Sequence, residues 1–510
     1  MKLKLRKHQI AALKNTLKAF KTNNKATVVL PCGTGKTVVM GSILEELNLN
    51  NAVVFAPTIL LTYQNFVSIK SNSNMDFEAI MISSKKDESY DLSKADYRIK
   101  NTTDFDELSS FINNCNRNNK KYIIFSTYMS NELLAGLNFD IIMYDEAHRT
   151  AGSTNKLAAN SLFIDSTYKY FTTATPRILK KKRDADPDNH KKLTNGVCMN
   201  DTSIYGNVSY SMSFKEAIQE GYITDYNVVI YGIDLAKVPS EFKIDDETLA
   251  MYAAKKAFDE IPNVKKMLSF HNRCIVAKNF AEFSSKVMPE IKSFYVDGKM
   301  KLEDRNEALR DFIACDRGLM ANVKVLAEGA DYPAIDTVLF ASKKTSVPDI
   351  VQAVGRALRL YKGKEKAHIL LPIFYNPVNE TEKVLIDSHA SLNIITNTLL
   401  ALSSMDERIE SFINSVSTKK DAENLNEILN KEEGSNNVLH DETFKFLKDL
   451  NEGKLPITFE GLDKILMEAI FFDVVDRSRN NWFATMKLAY CLQFGEEEGL
   501  KLFNKRMEEN

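Results

Sequence analysis

The segment LPCGTGKT, residues 30–37, combines residue types that can hold a chain of phosphates. β-Branched residues precede it and a helical pattern follows it, so a tight turn should join a strand to a helix. Such a turn directs backbone N–H groups and the positive end of the helix toward one point. Lys36 supplies a cation, and the hydroxyl of Thr37 can ligate Mg²⁺. The segment therefore predicts a nucleoside triphosphate site formed by Gly33, Thr34, Gly35, Lys36 and Thr37.

The segment departs from the strict phosphate-loop pattern at one position. That pattern has a glycine five residues before Gly35, where this chain has Leu30. The alternative interpretation is an ordinary strand–turn–helix in which the tripeptide Gly-Lys-Thr occurs by chance. The strand pattern before the turn and the helical pattern after it favour the nucleotide site.

A second candidate site lies in IIMYDEAHRT, residues 141–150. Four apolar residues lead to Asp145 and Glu146, so both carboxylates should lie at the carboxyl end of a strand, where α/β sheets bind ligands. Asp145 suits coordination of Mg²⁺, and Glu146 suits orientation and deprotonation of an attacking water. A solvated acidic turn would be the better interpretation of an isolated Asp-Glu pair. Together with the phosphate loop, the pair predicts hydrolysis of a phosphoanhydride.

The elements that position these residues alternate along the chain. Short apolar runs typical of buried parallel strands are separated by helical patterns up to about Tyr375. The alternation restarts after a strand pattern at residues 226–234, interpreted as the crossover between two copies of one α/β architecture. We expect a first lobe over residues 1–225, a second over 226–385, and a helical accessory domain without clear strands over 386–510.

Bulk properties limit the possible partners. The 510 residues carry a formal net charge of −1, so nucleic acid would be bound by local grooves and not by an overall basic surface. Six cysteines are scattered without a C-x-x-C pair, which argues against a zinc ribbon and a disulfide framework and fits a reducing compartment. No apolar run approaches membrane-spanning length. We expect a soluble intracellular protein that does not bind membranes.

The order and spacing of the motifs resemble those of the superfamily 2 helicases and translocases over roughly residues 5–371. The resemblance implies two tandem RecA-like domains that bind ATP and Mg²⁺. It implies that Gln9, in LRKHQ, contacts the adenine base. The segments APTILLTYQ and FSTYMS resemble elements that touch the nucleic-acid backbone, which points to Thr58 and Thr127.

Further motifs resemble elements that couple hydrolysis to motion or contact the nucleotide from the second lobe. The implied coupling residues are His148 in DEAH, Thr173 and Thr175 in TTATP, and Gln352 in DIVQAVGRALRL. The segment NVKVLAEGADYPAIDTVLF resembles a second-lobe motif that places Gly329 and Asp331 at the nucleotide.

The segment QAVGRALR resembles an arginine-finger motif. Its spacing fits a helix from which Arg356 and Arg359 reach across a cleft. A planar guanidinium suits the transition-state charge of a γ-phosphate and can raise turnover about 10³–10⁵-fold, so hydrolysis would depend on closure of the lobes. The alternative is a surface basic helix that forms salt bridges. Ala353 stands where many RNA helicases carry an arginine, which leaves open how this lobe contacts nucleic acid.

Details within the superfamily favour DNA as the substrate. TATP, EGADYPAIDTVLF and VQAVGRALR look most like the motors of restriction-type translocases and phage recombination helicases, which mostly act on duplex DNA. We expect an ATP-dependent helicase or translocase with little sequence specificity, because phosphate contacts carry no sequence information. An RNA helicase is the alternative, and a non-catalytic nucleic-acid clamp is a different class. We expect the helical accessory domain to contact the lobes or the nucleic acid, and it is the candidate surface for protein partners, which the sequence does not identify.

Overall fold

The computed structural model describes residues 4–83, 97–152, 156–176, 197–234, 246–323, 332–342, 347–377, 383–385, 389–410 and 456–460. Within these ranges the chain forms two successive mainly parallel sheets, each flanked by helices. No helix in the described ranges is long and apolar enough to cross a membrane.

The first sheet contains eight strands, all paired in parallel. They are β1 (Lys25–Val29), β2 (Asn51–Ala56), β3 (Glu78–Ile82), β4 (Lys100–Thr102), β5 (Tyr122–Thr127), β6 (Asn138–Asp145), β7 (Asp165–Thr173) and β8 (Asn207–Ser211). Their order across the sheet is β4-β3-β5-β2-β6-β7-β1-β8. The α-helices of this part are α1 (Lys7–Phe20), α2 (Lys36–Leu47), α3 (Ile59–Asn72), α4 (Phe105–Arg117), α5 (Lys156–Asn160), α6 (Thr202–Tyr205) and α7 (Phe214–Gln219), and three 3₁₀ helices cover Tyr128–Leu134, Ala147–Thr150 and Ser161–Phe163.

The second sheet contains eight described strands. They are β9 (Asp225–Asp234), β10 (Lys266–Phe270), β11 (Lys292–Asp297), β12 (Gly318–Val323), β13 (Thr337–Phe340), β14 (Lys366–Pro377), β15 (Lys383–Leu385) and β16 (Ile457–Glu460). Seven follow the order β11-β12-β10-β13-β14-β9-β16 with parallel pairs, and β15 pairs antiparallel with β14. The helices are α8 (Asp246–Glu260), α9 (Cys274–Val287), α10 (Leu302–Ala314), α11 (Val347–Ala357) and α12 (His389–Ser403).

The central strands explain why these segments fold as sheet. β2 and β5 have the sequences NAVVFA and YIIFST, and nearly every residue of both is buried. A parallel strand covered by helices on both faces buries both sets of its side chains, so it has a continuous apolar sequence. Because every pair in the first sheet is parallel, the carboxyl ends of β1, β6 and β7 meet at one edge. That edge holds the phosphate loop and the acidic pair.

The two sheets confirm the predicted α/β class, and one expectation about the carboxyl-terminal part is wrong. β16 is a strand within residues 386–510, the part expected to be helical, and β15 lies beyond Tyr375, where the predicted strands end. With three and four residues, β15 and β16 are too short to show a period in the sequence. The strand predicted as a crossover is β9, which lies inside the second sheet between β14 and β16. Residues 411–455 and 461–510 lie outside the described residues. The accessory domain and the bounds of the three domains stay predictions.

Candidate active site

The phosphate loop joins β1 to α2 through two glycines in the left-handed region. Gly33 has φ +84° and Gly35 has φ +89°, a conformation that glycine adopts without steric cost. A Cβ on Gly35 would also overlap the carboxamide of Gln9. The loop therefore turns sharply in front of α2, with Lys36 as the first residue of that helix.

Helix α1 holds the loop from behind. His8 Nε2 is hydrogen-bonded to the carbonyl oxygen of Thr34 at 2.8 Å, and Gln9 Nε2 donates to the same oxygen at 3.1 Å. Gln9 Oε1 accepts the backbone N–H of Arg6 at 2.9 Å. Arg6, which the sequence analysis did not single out, lines the cavity in front of the loop. The predicted contact between Gln9 and a base stays a prediction, and the structure gives Gln9 a role in fixing the loop.

Lys36 and Glu146 form an ion pair at the base of the loop, with 3.0 Å between Nζ and Oε1. Burial works against the charge of Lys36, but the neighbouring carboxylate of Glu146 outweighs it and raises the pKa of the ammonium. Burial also works against the charge of Glu146, but the Lys36 ammonium nevertheless holds the pKa of that carboxyl below its usual value. Both groups are therefore charged at neutral pH.

Asn65, on α3, connects the two residues predicted to hold Mg²⁺. Thr37 Oγ1 donates to Asn65 Oδ1 at 3.0 Å, and Asn65 Nδ2 donates to Asp145 Oδ2 at 3.0 Å. The other carboxylate oxygen of Asp145 accepts the backbone N–H of Glu146 at 3.0 Å. Burial and the charge of Glu146 raise the pKa of Asp145 to about 6. The sequence analysis missed Asn65, because one asparagine within a helix gives no signal of its own.

The turn after β6 brings the predicted coupling residues of the first lobe together. Glu146 has φ +51°, which is uncommon for a residue other than glycine and marks local strain at a functional site. His148 Nδ1 lies 3.0 Å from Thr173 Oγ1 and 3.4 Å from Glu146 Oε2. Thr173 Oγ1 accepts the backbone N–H of Thr175 at 3.1 Å. Burial lowers the pKa of His148 to about 4, so this imidazole is neutral at pH 7.

The second lobe contributes α11 to the same cavity. Gln352, Gly355, Arg356 and Arg359 all line the cavity that the phosphate loop lines. Arg356 lies within α11, but Arg359 lies two residues beyond its last residue, which corrects the expectation that one helix carries both. Directly after the helix, Thr224 binds two backbone carbonyls. The backbone N–H of Thr224 donates to Leu358 O at 2.8 Å and its hydroxyl donates to Arg359 O at 3.2 Å.

Helix α11 lies directly against the phosphate loop. A Cβ on Gly355 would stand 2.6 Å from the Cβ of Cys32, closer than such atoms approach in proteins. The side chain of Arg359 is also close, because a Cβ on Gly33 would stand 3.4 Å from Arg359 Cγ. The two sheets therefore meet at the loop with the arginines on one side and Lys36 on the other.

The segment that connects the two sheets also reaches the cavity, which has a volume of about 550 Å³. Tyr222 lies on its wall, with its ring 4.1 Å from the ring of His8 and 5.7 Å from the guanidinium of Arg6. Tyr222 belongs to no motif of the sequence, because its ring reaches the cavity only through the fold. A volume of this size falls within the range of small-molecule sites.

The remaining predicted residues lie apart from the cavity or outside the described ranges. Thr58 caps α3, accepting the backbone N–H of Leu61 at 3.3 Å, and Thr127 Oγ1 is hydrogen-bonded to Ser130 Oγ at 3.0 Å. Both lie at the carboxyl ends of the adjacent strands β2 and β5. Their contact with nucleic acid stays a prediction. Gly329 and Asp331 lie outside the described residues.

Two families match consecutive parts of the chain. "Type III restriction enzyme, res subunit" matches residues 2–178, and "Helicase conserved C-terminal domain" matches residues 253–361. The first match contains the phosphate loop and the acidic pair, and the second contains α11 and both arginines.

Two viral proteins are similar in sequence. "Putative helicase 22" of the Sulfolobus islandicus filamentous virus is 24% identical over 404 residues, which cover 73% of this chain and 64% of that protein. "Probable helicase A859L" of African swine fever virus is 25% identical over 280 residues, which cover 53% of this chain and 30% of that protein. The chain therefore spans less than two thirds of the length of either relative.

A solved structure shares the fold. The "ATP-dependent Type ISP restriction-modification enzyme LlaBIII bound to DNA" superposes with a TM-score of 0.72 and 23% sequence identity, covering 93% of this chain and 33% of that one. Tandem sheets of this kind, with a nucleotide loop in the first and an arginine helix in the second, define RecA-like motor proteins. The chain carries the two matched domains of the superfamily 2 helicases, and the first of them matches a restriction-enzyme family.

Proposed function

We propose that this chain is an ATP-dependent helicase or translocase that acts on DNA and hydrolyses ATP between its two lobes. One observation carries the proposal. A single cavity is lined by the phosphate loop, by Asp145 and Glu146, and by Arg356 and Arg359 from the other lobe. These groups are the parts that phosphoryl transfer to water requires.

The residues beside the loop fit a hard divalent cation. Asn65 bridges the hydroxyl of Thr37 and the carboxylate of Asp145 beside the phosphate loop. Both groups offer oxygen atoms, which are the ligands that Mg²⁺ prefers. Thr37 and Asp145 are therefore the proposed ligands, Asp145 through water. When bound, Mg²⁺ would neutralise charge that develops on the phosphates.

The ion pair between Lys36 and Glu146 suggests how ATP starts the reaction. The β- and γ-phosphates would offer Lys36 a stronger partner than Glu146, because they carry more charge. Glu146 would then be released to orient the attacking water and take its proton. Lys36 lowers the pKa of Glu146 and keeps it deprotonated in the ion pair, and release from that cation would raise its basicity for accepting the proton.

The arginines of the second lobe would make hydrolysis conditional. Arg356 and Arg359 reach the γ-phosphate only while α11 lies against the loop, and their charge stabilises the transition state. His148, Thr173, Thr175 and Gln352 would transmit the change in the phosphates to the lobes. Gly329 and Asp331 would contact the nucleotide from the second lobe, and Gln9 would contact its base.

Three findings support DNA as the nucleic acid on which the chain acts. The first lobe matches a restriction-enzyme family, the solved relative is described as bound to DNA, and the motifs resemble duplex-DNA motors. Thr58 and Thr127 are the proposed backbone contacts in the first lobe. Binding through phosphates would give little sequence specificity.

The test is the ATPase rate of the full chain with duplex DNA, single-stranded DNA and RNA of equal length as competing stimulators. We expect duplex DNA to stimulate most strongly, and Lys36→Ala to abolish the stimulated rate because the phosphates lose their cation. Stronger stimulation by RNA would replace this proposal with the RNA helicase. A wild-type chain that binds nucleic acid without hydrolysing ATP would make it a clamp.

A further inference from the structure

The carboxamide of Asn65 stands between two groups that face the same cation site. It accepts from the Thr37 hydroxyl and donates to the Asp145 carboxylate, each at 3.0 Å, and its side chain is almost completely buried. A buried asparagine whose amide oxygen accepts one hydrogen bond and whose NH₂ group donates another fixes the orientation of both partners.

The orientation of the amide follows from its partners. An ionised Asp145 can only accept hydrogen bonds, so the NH₂ group of Asn65 must face it. The amide oxygen must then face Thr37, where it takes up the proton of the hydroxyl. With its proton committed to Asn65, the Thr37 oxygen has its lone pairs left for another partner.

We propose that Asn65 is a positioning residue of the metal site, which turns the Thr37 hydroxyl and the Asp145 carboxylate so that both offer lone pairs to a divalent cation. The inference rests on the proposed function, because it concerns the cation that binds with ATP. Asn65 acts through its two partners and is not itself a ligand. Residues that orient metal ligands in this way change metal affinity roughly 10–100-fold when they are replaced.

Helix α3 is the element that makes this possible. It begins after Thr58, packs against α2, and places Asn65 beside the first turn of α2 and the end of β6. The N-cap of α3 is therefore Thr58, which is predicted to contact nucleic acid, and its second turn places Asn65 at the proposed cation site. A shift of α3 would alter the orientation of both proposed ligands.

The experiment measures binding of a fluorescent ATP analogue to the full chain, in EDTA and at a series of buffered Mg²⁺ concentrations. Asn65→Leu removes both hydrogen bonds while keeping the branched shape of the side chain, and Asn65→Ala removes them and leaves space. We expect both to raise the Mg²⁺ concentration for half-maximal enhancement of binding at least tenfold. Affinity in EDTA should stay within twofold of wild type, because the phosphate loop is intact.

The control is Asn72→Leu, the same substitution seven residues along α3. Asn72 Nδ2 donates to Ser68 O within the helix at 2.8 Å, so this change tests helix packing without touching the cation site. We expect a wild-type Mg²⁺ midpoint for it. If Asn65→Leu fails to fold by thermal melting, Asn65→Ala decides the question.

A wild-type midpoint in the folded Asn65 variants would overturn the inference and leave the proposed function standing. A wild-type chain that shows no Mg²⁺-dependent nucleotide binding would instead overturn the proposed function. The two failures are therefore distinguishable in one set of titrations.

Discussion

Glu146 is the residue on which the proposed chemistry depends most directly. We expect Glu146→Gln to lower the stimulated ATPase rate by about 10²–10⁴-fold, because the water loses its base. ATP binding should persist or tighten, since Lys36 is freed from its ion pair. Steady-state hydrolysis and binding of a fluorescent ATP analogue separate the two effects.

The matched control is Glu78→Gln, because Glu78 forms an exposed ion pair with Lys120. It should leave both quantities unchanged. Hydrolysis by Glu146→Gln at the wild-type rate would show that another group activates the water.

Substitutions of Arg356 and Arg359 test whether the second lobe takes part in hydrolysis. We expect Arg356→Ala and Arg359→Ala each to lower nucleic-acid-stimulated ATPase by about 10³-fold or more, since transition-state charge loses its partner. Nucleic-acid binding should stay close to wild type in a fluorescence anisotropy titration. Arg117→Ala, on the exposed end of α4, is the control. A variant that loses nucleic-acid binding but keeps its turnover would make these arginines backbone contacts.

At the scale of elements, the contact between α11 and the phosphate loop is the feature to perturb. Gly355→Ala places a Cβ 2.6 Å from the Cβ of Cys32, so the helix must move away from the loop. We expect a loss of stimulated ATPase of tenfold or more, and partial recovery when Cys32→Gly is added to make room. Both rates are measured by phosphate release.

Gly41→Ala, inside α2, provides the control for a glycine replaced within a helix. Its Cβ would lie 3.6 Å from Ile69, an ordinary contact, so the change should preserve activity and slightly stabilise the helix. Equal activity of Gly355→Ala and wild type would show that the close approach of α11 does not matter for turnover.

The elements also show how much of the site the sequence could predict. Residues in motifs were predictable, because the spacing of a motif indicates its chemistry. Those that line the cavity include Gly33, Gly35, Lys36, Asp145 and Arg356. Asn65, Arg6 and Tyr222 reach the same cavity through helix packing and chain connection. No local sequence pattern indicates such contacts, because they depend on which side of a helix or connecting segment packs against the cavity.

The fold was predictable to a similar extent. Apolar runs such as YIIFST predict central strands. The three residues of β15, which pair with the nearby end of β14, are too few to show a pattern, and β16 depends on pairing with β9, more than 200 residues earlier. Arg359 was placed on the helix because the sequence period continues through it. The helix ends at Ala357, and Thr224 binds the carbonyls of Leu358 and Arg359 beyond it, which is a tertiary contact that no local pattern shows.

For the whole molecule, buried neutral histidines set the response to acid. Burial lowers the pKa of His148, His271 and His368 to about 4, below the ordinary value near 6.5. The unfolded chain therefore binds protons that the folded chain does not. The contribution of these three imidazoles to stability is complete above about pH 6.5 and is lost as the pH falls toward 4, with His271 alone accounting for about 3 kcal/mol at the lower limit.

Urea denaturation at pH 7, 6 and 5 measures this loss. His271→Gln should flatten the dependence, because one of the groups that protonates on unfolding is gone. A pH dependence of His271→Gln equal to that of the wild type would contradict the assignment of a neutral buried imidazole.

The pairing of β9 with β16 has a consequence for how the chain is made. β9 is complete at residue 234, but the strand that covers its outer edge begins roughly 220 residues later. At about 5–20 residues per second, a ribosome needs roughly 10–45 s to deliver it. During that interval a row of backbone N–H and C=O groups stands open to strands of other nascent chains. The yield of native protein should therefore depend on translation rate and on chaperones that shield this edge.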